Sequence, residues 1–326
     1  MSQLNHITVI GSGVLGGQIA WHSAYKGKTV VVYDIAEDAL ARCRAAQEQY
    51  AAIYLAGVGA SEADIAGTRK RLTFTTDLAA AVARADLVIE AVPEIPAVKT
   101  QVYTQMAPLL PAHTLIATNT STLLPRDFAE ATGRPAQFCA LHFANLIWMM
   151  NVAEIMAHPG TARDTLKQVA EFALDIGMVP LAVQKEQNGY VLNTWFVALL
   201  NAAQTLVTNG ISTPEDVDRS YLIVNRGTSL GPLAMIDVVG MKTAFDVLSH
   251  WGQVNGDEQM LKNAAYIKGR FLDRGRLGMQ TGQGYYRYPE PAYQAPGFLQ
   301  IPDRSCVAEI VERSYLGEPE LQQRAA

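Results

Sequence analysis

Apolar and polar positions along the first half of the chain follow two rhythms in turn, predicting alternating strands and helices. Residues 6–10 are an apolar run, a glycine-rich turn follows, residues 15–26 repeat apolar positions at helical spacing, and residues 29–33 are β-branched. That order is a βαβ unit. Further strands are expected at 72–75, 86–91, 114–118 and 138–142, separated by alanine-rich stretches of the length a doubly wound sheet uses. The runs 152–157 and 179–183 are expected to be the last two strands, flanking a helix over 161–177 that Gly177 closes. Past Gln184 the strand rhythm stops. Residues 189–209 are helical in pattern, and Thr213 followed by Pro214 marks the next helix start. The pattern predicts an α/β Rossmann-type domain with a doubly wound, mostly parallel sheet over 1–185. An all-α domain over 186–326 follows, ending in a proline-rich polar tail after Tyr288 that is expected to wrap or fray.

Composition narrows the classes. The 326 residues suffice for two cores, and a net charge of -5 with 17% charged residues gives no general attraction to nucleic acid. Cys43, Cys139 and Cys306 lie far apart without a C-x-x-C pair, as expected of incidental thiols in a reducing compartment. No leader-like N-terminus is seen, and no apolar run reaches the roughly 18 residues a membrane span needs. A cytoplasmic protein with no membrane partner is expected. The six histidines show no metal-ligand spacing, so no metal is expected.

Candidate chemistry begins in the turn Gly11-Ser12-Gly13-Val14-Leu15-Gly16. Gly11 permits a tight turn, Gly13 lets backbone approach a pyrophosphate, and Gly16 allows close helix–strand packing. The amides near Val14 and Leu15 then point at the phosphates. Asp34 closes the second strand at about the offset where a carboxylate accepts the ribose hydroxyls and repels the extra phosphate of NADP. NAD is the expected cofactor. The alternative is a turn that needs glycine only for geometry, with Asp34 a solvated cap.

Four later stretches add to this: Ala117-Thr118-Asn119-Thr120-Ser121-Thr122-Leu123, Leu141-His142-Phe143-Ala144-Asn145, Val152-Ala153-Glu154 and Asn188-Gly189-Tyr190-Val191-Leu192-Asn193. With the glycine turn, and with Gly231-Pro232-Leu233 to Gly240 and Leu277-Gly278 to Tyr286, the chain resembles the 3-hydroxyacyl-CoA dehydrogenase family from Thr8 to Tyr288. The resemblance implies that Ser121, His142, Glu154 and Asn193 are the catalytic group. It also implies that Glu94, Lys99, Ser121 and Asn145 join Gly11, Gly13, Val14, Leu15, Gly16 and Asp34 at the cofactor. The chemistry is consistent: a histidine, whose free pKa is about 6.5, can take or give the hydroxyl proton as hydride moves to or from the same carbon. Glu154 is expected to orient the ring and favour its charged form, while Ser121 and Asn193 hydrogen-bond the substrate oxygen. The residues alone leave other readings open. His142 can be structural, Glu154 can face solvent, Ser121 can cap a helical turn at Leu123, Asn193 can be a polar helix face, and Lys99 can be solvated.

The chain also departs from the family. The helical extension over 38–57 has Arg42 and Arg44 near its start but no lysine, with Arg69-Lys70-Arg71 a possible substitute. The usual His-Phe-Phe-Asn-Pro reads His142-Phe143-Ala144-Asn145-Leu146, Trp148 follows where it can gate the entrance or pack between domains, and Gln280 stands where lysine is common. These departures resemble a diketoreductase branch acting on keto esters free of CoA. The implied partners are a small 3-hydroxyacyl or 3-keto substrate, as a CoA ester or free, bound between the domains, and a second copy of the chain through the C-terminal domain. Non-CoA hydroxy acids or sugar acids, and a non-catalytic NAD-binding protein, are the alternatives. Gly227-Thr228-Ser229-Leu230-Gly231 imitates a hydrolase elbow, but Pro232 is expected to prevent a following helix, leaving a turn between helices.

Overall fold

A computed structural model describes residues 4–225 and 227–298. Cys306 and the end of the expected tail lie outside them. The chain divides into two compact units, 1–194 and 195–326.

The first unit is built on eight strands: β1 (His6–Ile10), β2 (Thr29–Tyr33), β3 (Leu72–Thr75), β4 (Leu87–Glu90), β5 (Leu115–Thr118), β6 (Phe138–Phe143), β7 (Val152–Met156) and β8 (Val179–Val183). They form one sheet in the order β3-β2-β1-β4-β5-β6-β7-β8. All neighbours are parallel except β6 and β7, which run antiparallel. The helices are α1 (Val14–Tyr25), α2 (Glu37–Ile53), α3 (Glu62–Lys70), α4 (Leu78–Val82), α5 (Pro96–Met106) and α6 (Arg163–Asp175). Leaving β3 at one edge, the chain crosses to β4 beside β1. The strand order therefore reverses direction between β1 and β4, where open α/β sheets bind ligands.

Both faces of this sheet are covered, so its central strands are mostly apolar on both sides. Along β6, Cys139, Leu141 and Phe143 join the cluster with Ile19 of α1 and Phe172 of α6, while Phe138 joins the opposite cluster with Tyr103 and Met106 of α5. Alternation places His142 on the Phe138 face. Pro180, which cannot donate to a ladder, sits in the edge strand β8.

After α6, Gly177 adopts φ 78 and Met178 N–H reaches back to Ala173 O, closing the helix as expected. The extension after β2 differs from a plain helix: α2 runs into a π-helical turn at Tyr54–Val58. Tyr54 and Tyr50 pack on Trp148, with ring centroids 5.9 and 5.4 Å away. Trp148 is thus fixed inside the first unit.

The second unit continues α7 (Leu192–Thr208) into α8 (Pro214–Val224), α9 (Pro232–Val239), α10 (Met241–Asn255) and α11 (Glu258–Arg270). Thr213 caps α8 by accepting from Asp216 N–H. Pro232 does not prevent a helix, contrary to expectation. It is the first residue of α9, where its missing N–H costs nothing, and the hydrolase-like motif is the turn from α8 to α9. Tyr293 and Phe298, in the tail, pack into the helical core. Buried carboxylates tie this unit together. Asp218 accepts from Leu233 and Ala234 N–H at the start of α9 and from the Tyr286 hydroxyl. Asp237 accepts from Tyr285 N–H, Tyr286 N–H and the Tyr288 hydroxyl. A Cβ on Gly284 would lie 2.0 Å from Asp237 Oδ1, which explains the glycine.

Burial outweighs these donors and raises the Asp237 pKa from 3.8 to about 6. The folded state therefore holds this proton more tightly than the unfolded chain. Its contribution is fully present below pH 3.8 and lost as pH rises towards 6, a difference of roughly 3 kcal/mol. Urea unfolding followed across this range should show Asp237→Asn reducing the fall in stability with pH. An unchanged slope would contradict the assignment.

Candidate active site and cofactor site

The glycine turn follows β1 at the switch point. Gly11 has φ 103, and a Cβ there would meet Ala91 O at 2.5 Å; a Cβ on Gly16 would lie 2.1 Å from Gly11 O. Both positions exclude a side chain on steric grounds. Gly13 is different: a Cβ there meets nothing within 4 Å, so the protein itself does not require glycine at that point. Gly13 is the N-cap of α1, which has neither a side-chain cap nor an acidic first turn, and Val14 is exposed. The first amides of α1 are left without a side-chain anion, as a phosphate site requires. At the end of β2, Asp34 Oδ2 accepts from Ser12 N–H (2.9 Å) and Ser12 Oγ (2.7 Å), and Oδ1 from Ala36 N–H at 3.3 Å. Ser12, not singled out from sequence, aims the carboxylate. Its only signal was a hydroxyl inside the glycine turn.

Beyond β4, Glu94 receives Thr120 Oγ1 (2.5 Å), Ser121 N–H (2.8 Å), Thr122 N–H (2.8 Å) and Thr122 Oγ1 (2.9 Å) on one oxygen. Lys99 Nζ lies 3.1 Å from its other oxygen and 2.8 Å from Glu90 Oε1. Burial disfavours charge on Glu94, yet the Lys99 ammonium and the Thr120 and Thr122 donors hold its pKa below the usual range. Lys99 is only 1% exposed, so the solvated-helix alternative fails. Glu90, absent from the sequence-derived candidates, also accepts from Tyr103 and Thr118 hydroxyls.

Ser121 follows β5 in the loop that Glu94 holds. It does not cap a turn: Leu123 N–H instead donates to Thr120 Oγ1. Ser121 Oγ lies 3.2 Å from His142 Nε2 at the end of β6. The antiparallel register sets His142 opposite Glu154 on β7, and His142 Nδ1 lies 2.8 Å from Glu154 Oε2. A carboxylate only accepts, so Nδ1 carries a hydrogen. Glu154 is fully buried rather than solvent-facing, and its Oε1 accepts from Val191 and Leu192 N–H at 2.9 and 2.8 Å, at the start of α7. Asn193 Nδ2 reaches Ser121 O at 3.5 Å. Ser121, His142, Glu154 and Asn193 therefore converge on one place.

Asn119 Oδ1 accepts from Phe143 N–H, and Gln18 Oε1 from Leu146 N–H, fixing the backbone on both sides of Asn145. Asn145 Oδ1 is buried with no partner among the described residues, a polar atom left for a ligand. The glycine cradle, Asp34 and this atom together fit a dinucleotide.

A dinucleotide fold carrying a histidine–carboxylate pair beside a hydroxyl defines an NAD-linked oxidoreductase. Residues 6–187 match the NAD-binding domain of 3-hydroxyacyl-CoA dehydrogenase, and residues 189–288 match its C-terminal domain. The chain belongs to the 3-hydroxyacyl-CoA dehydrogenase family. It is 31% identical to a probable 3-hydroxybutyryl-CoA dehydrogenase of Deinococcus radiodurans over 86% of this chain and 99% of that one. It is 29% identical to the mitochondrial hydroxyacyl-coenzyme A dehydrogenase of Sus scrofa over 87% and 91%. A solved diketoreductase that acts on dicarbonyl compounds is 44% identical, with a TM-score of 0.76, over 88% of this chain and all of the other. No helix among the described residues is long and apolar enough to cross a membrane.

Proposed function

We propose that the protein interconverts a 3-hydroxyacyl and a 3-ketoacyl compound with NAD(H), His142 serving as the general acid and base. The observation that carries this reading is the pair of distances at one imidazole: 2.8 Å from Nδ1 to Glu154 and 3.2 Å from Nε2 to Ser121. With Nδ1 committed to the carboxylate, Nε2 is the atom left to exchange a proton with substrate. The bound nicotinamide supplies or accepts the hydride. In the reducing direction the His142 Nε2–H bond breaks as the substrate O–H bond forms. Glu154 stabilises the ring while it carries charge, and Ser121 and Asn193 donate to the oxygen as negative charge grows there. Gly11, Gly13, Val14, Leu15 and Gly16 hold the pyrophosphate, Asp34 the adenosine ribose, and Asn145 the nicotinamide end. Glu94 lines the cofactor site with Lys99 behind it. Residues 1–185 serve NAD binding, and 186–326 serve substrate binding and homodimerisation.

A second reading concerns the carrier of the acyl group. On the extension Arg42 meets Asp38 (2.5 Å) and Arg44 meets Glu37 (2.5 Å), and on α3 Arg69 meets Glu48 (2.6 Å), all in exposed pairs. Arg71 donates to Ala24 O. The extension itself carries two arginines and no lysine for the phosphates of a CoA ester, which favours a free 3-keto ester or dicarbonyl substrate. NADH consumption with a free 3-keto ester beside acetoacetyl-CoA separates the two. The free-substrate reading expects kcat/KM at least tenfold higher on the ester, and the reverse preference would restore CoA.

A further inference from the structure

The ring behind His142 belongs to Tyr190, which the proton-transfer group does not yet include. Tyr190 closes the turn before α7, its N–H donating to Gln187 O at 3.1 Å. It is 1% exposed, and its backbone is held at φ 55, a left-handed conformation uncommon for a bulky side chain. Its ring lies nearly flat on the imidazole of His142, with centroids 4.7 Å apart and planes 24° from parallel. Buried tyrosines usually find a partner for the hydroxyl. This one has none. Burial, and then the carboxylates of Glu94 and Glu154, keep that hydroxyl protonated. What the position uses is therefore the flat face, together with its packing on Leu124, Ala140 and Met156.

We propose that Tyr190 is a positioning residue for proton transfer, its ring fixing the imidazole plane of His142 so that Nε2 stays directed at the oxygen beside Ser121. A histidine ring turns about its Cβ–Cγ bond in a broad torsional well, and the edge contacts from Nδ1 to Glu154 and from Nε2 to Ser121 leave the faces of the ring unsupported. A flat surface on one face restricts that turning. The electron-rich face of an aromatic ring also attracts the positive charge that His142 carries after taking the substrate proton. The proposal rests on His142 as the acid and base.

Two substitutions separate the ring from its hydroxyl. Tyr190→Phe keeps the flat face and should leave kcat within twofold while raising the melting temperature slightly, because an unpaired buried hydroxyl is removed. Tyr190→Leu removes the face. It should lower kcat at least tenfold with substrate KM and NADH Kd within twofold, and it should enlarge the solvent deuterium isotope effect on kcat as proton transfer becomes slower. Tyr190→Met, flexible enough to fill the same space, is read in the same way if the leucine variant does not fold. Unchanged kcat without the aromatic ring would overturn the proposal, as would a loss confined to KM or Kd. A phenylalanine variant as impaired as the leucine one would do so too, since it would assign the effect to the hydroxyl. His142→Gln, measured alongside, tests the underlying reading separately: an active His142→Gln enzyme removes the acid and base, whereas an inactive one beside an unimpaired Tyr190→Leu removes only the role of Tyr190.

Discussion

Replacing His142 by glutamine is expected to lower kcat by about a thousandfold while leaving NADH affinity within twofold, because a positioned acid–base group contributes about 10²–10⁴. Glutamine keeps a polar group that can still meet Glu154 and Ser121, yet it cannot exchange a proton near neutral pH. The buried Glu154 retains its two backbone donors from Val191 and Leu192, so the start of α7 should stay in place. The asymmetry between catalysis and binding is the informative part. Stopped-flow reduction of a 3-keto substrate, with NADH binding followed by fluorescence, reads both quantities. Turnover within tenfold of the wild type would sink the assignment of His142.

The second large effect concerns two glycines three residues apart that should fail for different reasons. Gly16→Ala places a methyl 2.1 Å from the carbonyl oxygen of Gly11, so α1 must move away from β1. Both stability and binding should suffer, the first by about 2–3 kcal/mol as for an overpacked core. Gly13→Ala places its methyl where no protein atom lies within 4 Å, at an ordinary φ of -62, so folding should be untouched. If the pyrophosphate lies against Gly13, that methyl should weaken NADH binding at least tenfold at an unchanged melting temperature. Calorimetric titration and thermal unfolding of both variants check this. NADH bound normally by Gly13→Ala would place the phosphates elsewhere.

Much of this was legible before any coordinates. The central strands are mostly apolar because both faces are covered, with polar residues such as Glu90, Thr118 and His142 towards their C-terminal ends, and that run-length signal locates β1, β4, β5 and β6 within a residue or so. The glycine spacing and Asp34 follow from local geometry that a sequence expresses directly. What could not be read depends on which distant chain segments meet. That β7 runs antiparallel to β6, and so sets Glu154 opposite His142, is a property of strand direction that alternation does not encode. A solvated Lys99 stayed open as an alternative because its partner Glu90 is nine residues away, across a turn, on a strand whose burial appears only after folding. The resemblance set Glu94 at the cofactor, but not that it collects four donors from residues 120–122 and so fixes the loop that carries Ser121. Pro232 was misread because proline both breaks helices and opens them, and only the preceding Gly231 cap and the Asp218 carboxylate decide which.

In the proposed reaction, hydride and proton reach the same carbonyl of a 3-keto compound. Single-turnover reduction with NADH deuterated at the transferred position tests it most directly. The prediction is deuterium on carbon 3 of the hydroxy product and a primary isotope effect on the rate, with product formation about a thousandfold slower in His142→Gln. Tight NADH binding with no label transferred to any 3-keto compound would contradict it, and would leave the dinucleotide fold without this chemistry.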